Sequence, residues 1–207
     1  MKTVAPAAGF LLLTAALFAQ PYQYVVSKTA GGGAPPSPIA ALDASINPVA
    51  AAADSIGNVY FTGYTYIYKM DSKGILTRIA GGGQFGTGGD GGPAIDATLY
   101  LHPGWIPSLA VDNIGNIYIG EPGSFRIRKI SSDGTMSAFA GGNTSGYTGD
   151  GGPALAAHFG NASGIGFGGL AADQSGNVFI VDSNNFVVRK VSTNGIITTV
   201  AGNGKAG

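Results

Sequence analysis

The sequence repeats itself three times, with a period of about 60 residues. The pair Ala-Gly recurs at positions 80, 140 and 201, and the pair Gly-Asn begins at positions 57, 115 and 176. The hexapeptide Gly-Asp-Gly-Gly-Pro-Ala occurs at residues 89–94 and again at residues 149–154. A fixed period of this length indicates a repeat architecture, in which each copy is one supersecondary unit that buries its apolar faces against its neighbours.

Each copy contains four short segments with strand character, separated by turns. The connections inside a copy have hairpin lengths, so we expect each copy to form a four-stranded antiparallel meander. The chain has 36 glycines and 11 prolines, which favours short strands and tight turns over helices. The predicted strands are residues 49–54, 58–61, 66–70 and 76–80 in the first copy, 108–112, 116–120, 126–131 and 136–140 in the second, and 169–173, 177–181, 186–191 and 196–201 in the third.

The first predicted strand of each copy is rich in small side chains; residues 49–53, for example, read Val-Ala-Ala-Ala-Ala. A lone four-stranded sheet cannot bury both of its faces, whereas sheets packed face to face around an axis can. The innermost strands converge on that axis, where there is least room for side chains. The sequence therefore predicts an all-β fold, a β-propeller of four-stranded antiparallel blades, with three blades present.

About 25 residues connect one copy to the next, at 81–106 and at 141–167. Each connection contains Gly-Gly-Pro-Ala, followed by the apolar pair Ile95 and Leu99 or Leu155 and Phe159 at i, i+4. Proline at a first helical position and an apolar i, i+4 pair predict one or two helical turns that dock on the edge of a blade.

The N-terminus has the order of an export signal. Met1-Lys2 supplies a positive start, residues 8–19 form an uncharged apolar run, and a polar stretch containing Pro21 follows. Twelve apolar residues fall short of the ~20 that a membrane-spanning helix needs, although an uncleaved anchor is the alternative. We expect the protein to be secreted, periplasmic or displayed on the cell surface, and not to span a membrane.

The repeats divide the chain into six parts, and the last blade has no successor. Three blades are too few to close a ring, for which about four to eight are usual. We therefore expect an N-terminal fragment, or a prematurely ended version, of a longer six-bladed chain. The alternative is the association of two copies to give six blades, and in either case apolar faces are exposed on both end blades. The predicted parts are a signal peptide at 1–19, an N-terminal segment with a spare closing strand (24–31) at 20–47, blade 1 at 48–80, a linker and blade 2 at 81–140, a linker and blade 3 at 141–201, and the start of a further linker at 202–207.

Charge and cysteine content exclude several classes of function. The chain has eleven basic and eleven acidic side chains, so bulk electrostatics do not favour a nucleic-acid partner. There is no cysteine, which excludes disulfide scaffolds, thiolate zinc sites and thiol nucleophiles. We expect no cofactor.

The pattern Ala-x-Asp-x-x-Gly-Asn-x-Tyr/Phe-Ile, then Arg-Ile-Arg-Lys or Val-Val-Arg-Lys, then Ala-Gly, resembles NHL repeats. The Gly-Asp-Gly-Gly-Pro-Ala linker is similar to that of bacterial secreted NHL proteins and of the teneurin NHL domain. The first copy departs most, because residues 66–69 read Tyr-Ile-Tyr-Lys where the other copies carry arginine. The resemblance implies a propeller, usually of six blades, that acts mainly as an interaction surface, and fold alone does not specify a chemistry.

In such a meander the turn between the second and third strands and the linker to the next blade emerge on one side, which we call the linker face. Aromatic and polar side chains on loops over a rigid scaffold are typical of recognition, so we expect a protein, glycan or cell-envelope ligand there. The candidate residues are Glu121, Asp182, Asp90, Asp150, Arg126, Trp105 and Tyr147, with Tyr64 and Phe85 on the same side.

Each acid of this set also has a structural interpretation. Glu121 and Asp182 precede arginines within seven residues, which predicts an exposed ion pair across the hairpin that contributes about 0–1 kcal/mol. Asp90 and Asp150 lie shortly before the Gly-Pro of the linker, which predicts a helix cap or an Asx turn, with a calcium-like oxygen site as the alternative.

A second set of polar residues is predicted to hold turns. An aspartate precedes x-x-Gly-Asn in every copy, and its carboxylate is well placed to accept hydrogen bonds from backbone N–H groups of the turn. Repetition in all three copies favours a structural role over catalysis. These residues are Asp54, Asp112, Asp173, Asn58, Asn116 and Asn177.

Two functions from different classes follow. The first is a non-enzymatic binding scaffold. The alternative is a propeller hydrolase or lyase of the lactonase kind, with a metal held in the central channel by carboxylate, Asn or His ligands. The residues nearest the predicted axis are mostly Ala, Val, Leu and Gly, so the sequence predicts neither a catalytic residue nor a metal ligand.

Overall fold

The computed structural model describes residues 35, 37–101, 104, 107–142, 144–160 and 168–207. The predicted signal peptide, the spare strand at 24–31 and Trp105 lie outside the described residues. No helix in the described part of the chain is long and apolar enough to cross a membrane.

Three antiparallel sheets account for the regular structure, and each corresponds to one copy of the repeat. The prediction of an all-β propeller fold with three four-stranded blades is confirmed. The strands are β1 (Ile39–Ala40); β2 (Ala51–Ala53), β3 (Val59–Thr62), β4 (Ile67–Met70) and β5 (Ile75–Ala80) of blade 1; β6 (Ser108–Val111), β7 (Ile117–Glu121), β8 (Arg126–Ile130) and β9 (Met136–Ala140) of blade 2; and β10 (Gly169–Ala172), β11 (Val178–Asp182), β12 (Val187–Val191) and β13 (Ile197–Ala201) of blade 3.

The three blades share their strand order and their irregularities. Strands pair in sequence order within each blade, as the short turns require. The pairing of the third with the fourth strand shifts register at the same place in each blade, between Ile67 and Tyr68, between Ile127 and Arg128, and between Val188 and Arg189. The local backbone of a blade is therefore repeated, including its bulge.

The first strands of the three blades lie side by side at the inner edge, where β6 contacts both β2 and β10. Their side chains are small, as the convergence of strands requires. Apolar clusters fill the two spaces between blades. One cluster joins blade 1 to blade 2 and includes Tyr60, Leu109, Ile117, Ile119 and Met136; the other joins blade 2 to blade 3 and includes Tyr118, Ile127, Val178, Ile180 and Ile197.

The segment before blade 1 covers the outward face of that blade. Strand β1 pairs antiparallel with β5, so the first sheet has five strands. Ile39, Ala44 and Ile46 pack around Tyr68 and Leu76 on this face. The expectation that both end blades expose apolar faces is therefore wrong for blade 1, because residues 39–46 remove that face from water.

The linkers connect successive blades and contain short 3₁₀ turns at Ala94–Asp96 and Ala154–Ala156. The prediction of helical turns is confirmed, but the predicted apolar pairing is wrong in part. Leu155 is exposed, whereas Phe159 is buried beyond the end of its turn. A three-residue turn is too short to place positions i and i+4 on one face, so the extended chain after the turn supplies the buried side chains.

Candidate functional site

The linker face is built where the turn between the second and third strands of a blade meets the linker that enters the blade. In blade 2 this turn is a 3₁₀ turn, Pro122–Ser124, between Glu121 at the end of β7 and Arg126 at the start of β8. The chain leaves the turn through Phe125, a residue with left-handed backbone (φ 52°). Residues 87–100 of the linker pass over this turn and contact its side chains.

Two arginines of β8 clamp the linker onto blade 2. Arg128 donates from Nε to Oδ1 of Asp90 (2.8 Å), from Nη1 to the carbonyl of Thr98 (2.8 Å) and from Nη2 to the carbonyl of Gly88 (3.0 Å). Arg126 donates to the carbonyl of Thr87 (2.6 Å) and to Oδ2 of Asp90 (3.3 Å). A guanidinium has five N–H donors, which is why one side chain can hold several points of a loop.

The carboxylate of Glu121 balances part of the positive charge of these two arginines. Its side chain is fully buried; Oε2 accepts from Nε of Arg126 (3.0 Å), and Oε1 lies 3.6 Å from Nη1 of Arg128. The backbone N–H of Tyr100 donates to the same carboxylate at 3.3 Å. Two carboxylates therefore face two guanidinium groups, so the buried charge is balanced.

Blade 3 repeats the clamp with one arginine. Arg189 donates from Nη2 to Oδ1 of Asp150 (2.7 Å), to the carbonyl of Thr148 (2.8 Å) and, from Nη1, to the carbonyl of His158 (2.9 Å). Asp182, at the end of β11, lies 4.0 Å from Nη1 of Arg189. Val187 stands where blade 2 has Arg126, and the amide of Asn185 donates to both oxygens of Asp182 at 2.9 Å.

Blade 1 has none of these parts. Its third strand carries Tyr68 at the position of Arg128, and Gly63 follows β3 at the position of Glu121. The segment that enters blade 1 also lacks the Gly-Asp-Gly-Gly sequence. Acid, arginine and linker aspartate are thus present together in two copies and absent together from one, which is the pattern expected of a single mechanical unit.

Two of the structural interpretations drawn from the sequence are wrong. Glu121 and Asp182 are not exposed: both side chains are completely buried, because the linker lies over them. Asp90 and Asp150 do not cap the 3₁₀ turns, whose N-caps are Pro93 and Pro153 without any side-chain cap bond. Their carboxylates instead pair with arginines that lie 36 to 39 residues later in the chain.

The two acids of the blade 3 clamp are shifted in opposite directions. Burial is the largest influence on Asp182 and raises its pKa, although hydrogen bonds from Asn185 and Gly160 and the charge of Arg189 act against it. Burial also acts to raise the pKa of Asp150, but its hydrogen bonds with Thr199 and Arg189, together with the charge of Arg189, outweigh burial and leave that pKa below 3.8. The cationic Arg189 thus lowers the pKa of both acids, and burial prevails at Asp182 alone.

Above the clamps, aromatic rings remain at the surface. Tyr147 is 44% exposed, yet its hydroxyl lies 2.9 Å from Oγ1 of Thr199 and its ring lies 5.5 Å from the guanidinium carbon of Arg189. Tyr64 lies in the turn between β3 and β4 of blade 1, and its hydroxyl accepts from the amide of Asn47 at 2.8 Å. Phe85, in the first linker, is 52% exposed.

The opposite face carries the repeated turns. Oδ1 of Asp112 accepts from the backbone N–H groups of Ile114 (3.1 Å) and Asn116 (2.8 Å), and Oδ2 accepts from the side-chain amide of Asn116 (2.7 Å). The hydroxyl of Tyr118 donates to the same oxygen at 3.1 Å. Asp54 with Asn58 and Asp173 with Asn177 form the same turn bonds.

The structure thus brings Glu121, Asp90 and Arg126 together in one cluster and Asp182 and Asp150 in another, while Tyr147 lies beside the second. Sequence reasoning missed Arg128 and Arg189 as the centres of these clusters. The signal was available, since arginine is missing from the third strand in the one copy whose preceding segment lacks the Gly-Asp-Gly-Gly sequence. Among the described residues, no group of three or more His, Cys, Asp or Glu side chains is placed to hold a metal ion.

No family model matches the sequence, and no curated protein matches it. Solved structures do match. A structural genomics protein of unknown function from Bacteroides thetaiotaomicron has a TM-score of 0.55 at 24% identity, over 74% of this chain and 35% of that chain. A gluconolactonase from Xanthomonas campestris has a TM-score of 0.49 at 12% identity, and the match covers 76% of this chain and 48% of that chain. An auxiliary nutrient binding protein from Bacteroides thetaiotaomicron has a TM-score of 0.48 at 15% identity, over 77% of this chain and 37% of that chain.

The chain spans about a third to a half of the length of the first solved structures it matches. At these identities the likeness concerns the fold, and of the three structures named the protein with a TM-score of 0.55 carries it. Together with the three antiparallel sheets and their shared strand order, it shows that the chain has a β-propeller fold, of which the described residues form three successive blades.

Proposed function

We propose that this chain is an exported, NHL-type propeller module that binds a protein, glycan or cell-envelope ligand on its linker face and catalyses no reaction. The observation that carries the proposal is Tyr147. Its ring is exposed while its hydroxyl and one ring face are held by Thr199 and Arg189. An aromatic ring that is already immobile loses little conformational entropy when a ligand packs on it.

The buried clamps support this proposal because they engage the acids of the linker face in ion pairs. The carboxylate of Glu121 is fully buried and faces the guanidinium groups of Arg126 and Arg128. An acid in that position is poorly placed to exchange a proton with a substrate on the surface. The clamps instead hold long loops rigidly above the blades, which is the way recognition loops are commonly presented.

The first experiment tests the ligand and the face together. The purified chain is applied to an array of glycans, to isolated cell-wall polymers and to an array of exported proteins of the host. Tyr147→Ala and Phe85→Ala should weaken the binding of whichever probe is retained by at least about tenfold, the effect of a typical aromatic contact residue. The matched control is Ile114→Ala, since Ile114 is 69% exposed on the opposite face.

Equal loss of binding in the control variant would contradict the assignment of the linker face, and the absence of any retained probe would contradict the binding function. The second experiment measures turnover of a panel of lactones with and without added divalent metal. We expect none. Hydrolysis of any lactone by the parent chain, with or without metal, would contradict the non-catalytic proposal.

A further inference from the structure

A groove lies between the outer part of blade 2 and the linker and turn of blade 3 that pack beside it. Lys129 and Phe139 of blade 2 form one wall, and Pro153, Leu155 and Asn194 of blade 3 form the other. Its volume is about 320 Å³, which is enough for a small organic ligand. None of the clamp acids or arginines in the described part of the chain lines this groove, so it is separate from the linker face.

A backbone N–H on the outer edge of β9 opens toward this groove. Both backbone groups of Met136 are bonded on that edge, its N–H to the carbonyl of Gly92 (2.9 Å) and its carbonyl to the N–H of Gly91 (2.8 Å). Backbone groups of an antiparallel strand alternate between its two edges, so those of Ala138, two residues on, point outward as well. Ala138 is exposed and lines the groove.

The equivalent N–H in each of the other two blades donates to a side-chain oxygen. The N–H of Arg78 in β5 donates to Oγ of Ser37 at 2.8 Å, and the N–H of Thr199 in β13 donates to Oδ2 of Asp150 at 2.9 Å. No acceptor among the described residues is bonded to the N–H of Ala138. Blade 2 therefore lacks an oxygen acceptor at a point where the other two copies supply one.

The second arginine of blade 2 accounts for this difference. Asp150 of blade 3 uses one carboxylate oxygen for its arginine and the other for the N–H of Thr199. Asp90 of blade 2 has both oxygens bonded to arginines, Oδ1 to Arg128 and Oδ2 to Arg126. The N–H on the edge of β9 is left open because the clamp of blade 2 uses the whole carboxylate.

Lys129 adds a positive charge to the same groove. None of the ion pairs between described residues includes its ammonium group. Asp133, in the turn that follows β8, accepts instead from the backbone N–H of Thr135 at 3.0 Å. Asn194, on the opposite wall, stands where blade 2 has Asp133, so that wall carries an amide in place of a carboxylate. The groove thus contains a cation and an N–H donor without an anion.

We propose that this groove binds a small monocarboxylate with an apolar or aromatic body. The ligand carboxylate accepts from the N–H of Ala138 and from the ammonium of Lys129. The carboxylate of Asp150 makes the same kind of contact in blade 3, where it accepts from an N–H and a guanidinium. The apolar body packs on Phe139 and on Leu155, which is 55% exposed. Apolar burial provides affinity, and the two donors select an anion.

Phenylacetate is the probe, and phenylacetamide, which has nearly the same shape and no charge, is its control. Backbone amide resonances of the isotope-labelled chain are followed during titration of each compound to millimolar concentration. The amide of Ala138 should shift and saturate with phenylacetate and should not move with phenylacetamide. Without ligand, this amide should exchange with solvent faster than the amide of Thr199, which is hydrogen-bonded.

Two variants of the groove test its side chains. Lys129→Met should weaken the binding of phenylacetate at least about tenfold, because the charged donor is lost. Leu155→Ala should weaken it less, through lost apolar contact. The matched control is Lys69→Met, the same position in blade 1, where Ser37 already occupies the edge N–H. It should bind phenylacetate as the parent does, and all three variants should unfold as cooperatively as the parent.

Four outcomes would overturn the proposal. The first is an Ala138 amide that does not shift up to the solubility limit of phenylacetate. The second is equal affinity for phenylacetate and phenylacetamide, and the third is an equal loss of binding in Lys129→Met and Lys69→Met. The fourth is an Ala138 amide as protected from exchange as that of Thr199 before ligand is added. None of these outcomes depends on whether the linker face binds a ligand.

Discussion

Arg189 is completely buried, and its Nη2 donates to Oδ1 of Asp150 over 2.7 Å although the two residues are 39 positions apart. The pair joins the third strand of blade 3 to the linker that enters the blade. Its counterpart, Arg128 with Asp90, does the same in blade 2. A charge buried in this way is stabilised only by its partners, so each clamp makes the blade and its linker dependent on one another.

Replacement of Arg189 by methionine should therefore destabilise the protein strongly. Arg189→Met keeps much of the side-chain volume but leaves Asp182 buried without a cationic partner, which we expect to cost about 3–5 kcal/mol in the free energy of unfolding. Urea unfolding followed by tyrosine and tryptophan fluorescence measures this. The control is Lys190→Met on the same strand, and equal effects of the two substitutions would contradict the clamp.

The pH dependence of the free energy of unfolding should reflect the titration of both acids of the blade 3 clamp, Asp150 and Asp182. The folded pKa of Asp150 lies below 3.8, so this group contributes stability above pH 3.8 that is lost as the pH falls through the folded pKa. The folded pKa of Asp182 lies above 3.8, so its ionisation costs stability as the pH rises from 3.8 through the folded pKa.

The two asparagine variants separate these contributions. Asp150→Asn should lose less stability than the parent on acidification below pH 3.8, whereas Asp182→Asn should lose less than the parent when the pH is raised above 3.8. Urea midpoints measured across the acidic range test both. Parallel curves for the parent and both variants would show that neither carboxylate titrates differently on folding.

Two glycines with the same backbone conformation should respond differently to alanine. Gly134 (φ 86°) has no heavy atom near the position of an added Cβ, so Gly134→Ala costs only the left-handed backbone, about 1–2 kcal/mol. An added Cβ at Gly141 (φ 87°) would collide with the carbonyl oxygen of Phe125 and with Cα of Arg126. Gly141→Ala should therefore cost clearly more.

Thermal unfolding of both alanine variants provides the comparison. The collision at Gly141 involves backbone atoms at the turn that carries the linker clamp, so the neighbouring chain must move. Equal melting temperatures for Gly134→Ala and Gly141→Ala would show that the linker is not packed as tightly against this turn as the structure has it.

The tyrosine beneath each blade contact should contribute one measurable hydrogen bond. Tyr118→Phe removes the donor to the buried carboxylate of Asp112 and is expected to cost about 1 kcal/mol. Burial, followed by the charge and hydrogen bond of Asp112, raises the pKa of Tyr118 to about 12. Spectrophotometric titration should therefore show Tyr118 ionising later in the parent than an exposed tyrosine; ionisation near the ordinary value of 10 would contradict its burial.

Local features of this protein were predictable from the sequence because they depend on neighbours within a few positions. Hairpin lengths, strand segments and the turn formed by Asp112 and Asn116 all involve contacts within one blade. The repeat then predicts that these units pack face to face around an axis, since each blade needs another to cover its faces. Fold class, strand order and the position of the innermost strands follow from this logic.

The site was decided by contacts that no local pattern contains. Glu121 and Arg126 are five residues apart and read as an exposed hairpin pair, yet Tyr100, 21 residues before Glu121, donates to that carboxylate. The linker's path over the turn converts a surface pair into a buried cluster, and burial makes the removal of one partner costly where it would otherwise matter little. The covering of blade 1 by residues 39–46 likewise depends on a segment that lies outside the blade. Sequence by itself determined the blades, because strand and turn chemistry is local. Tertiary structure alone decided which charges and faces are removed from water, because desolvation depends on every segment that packs above them.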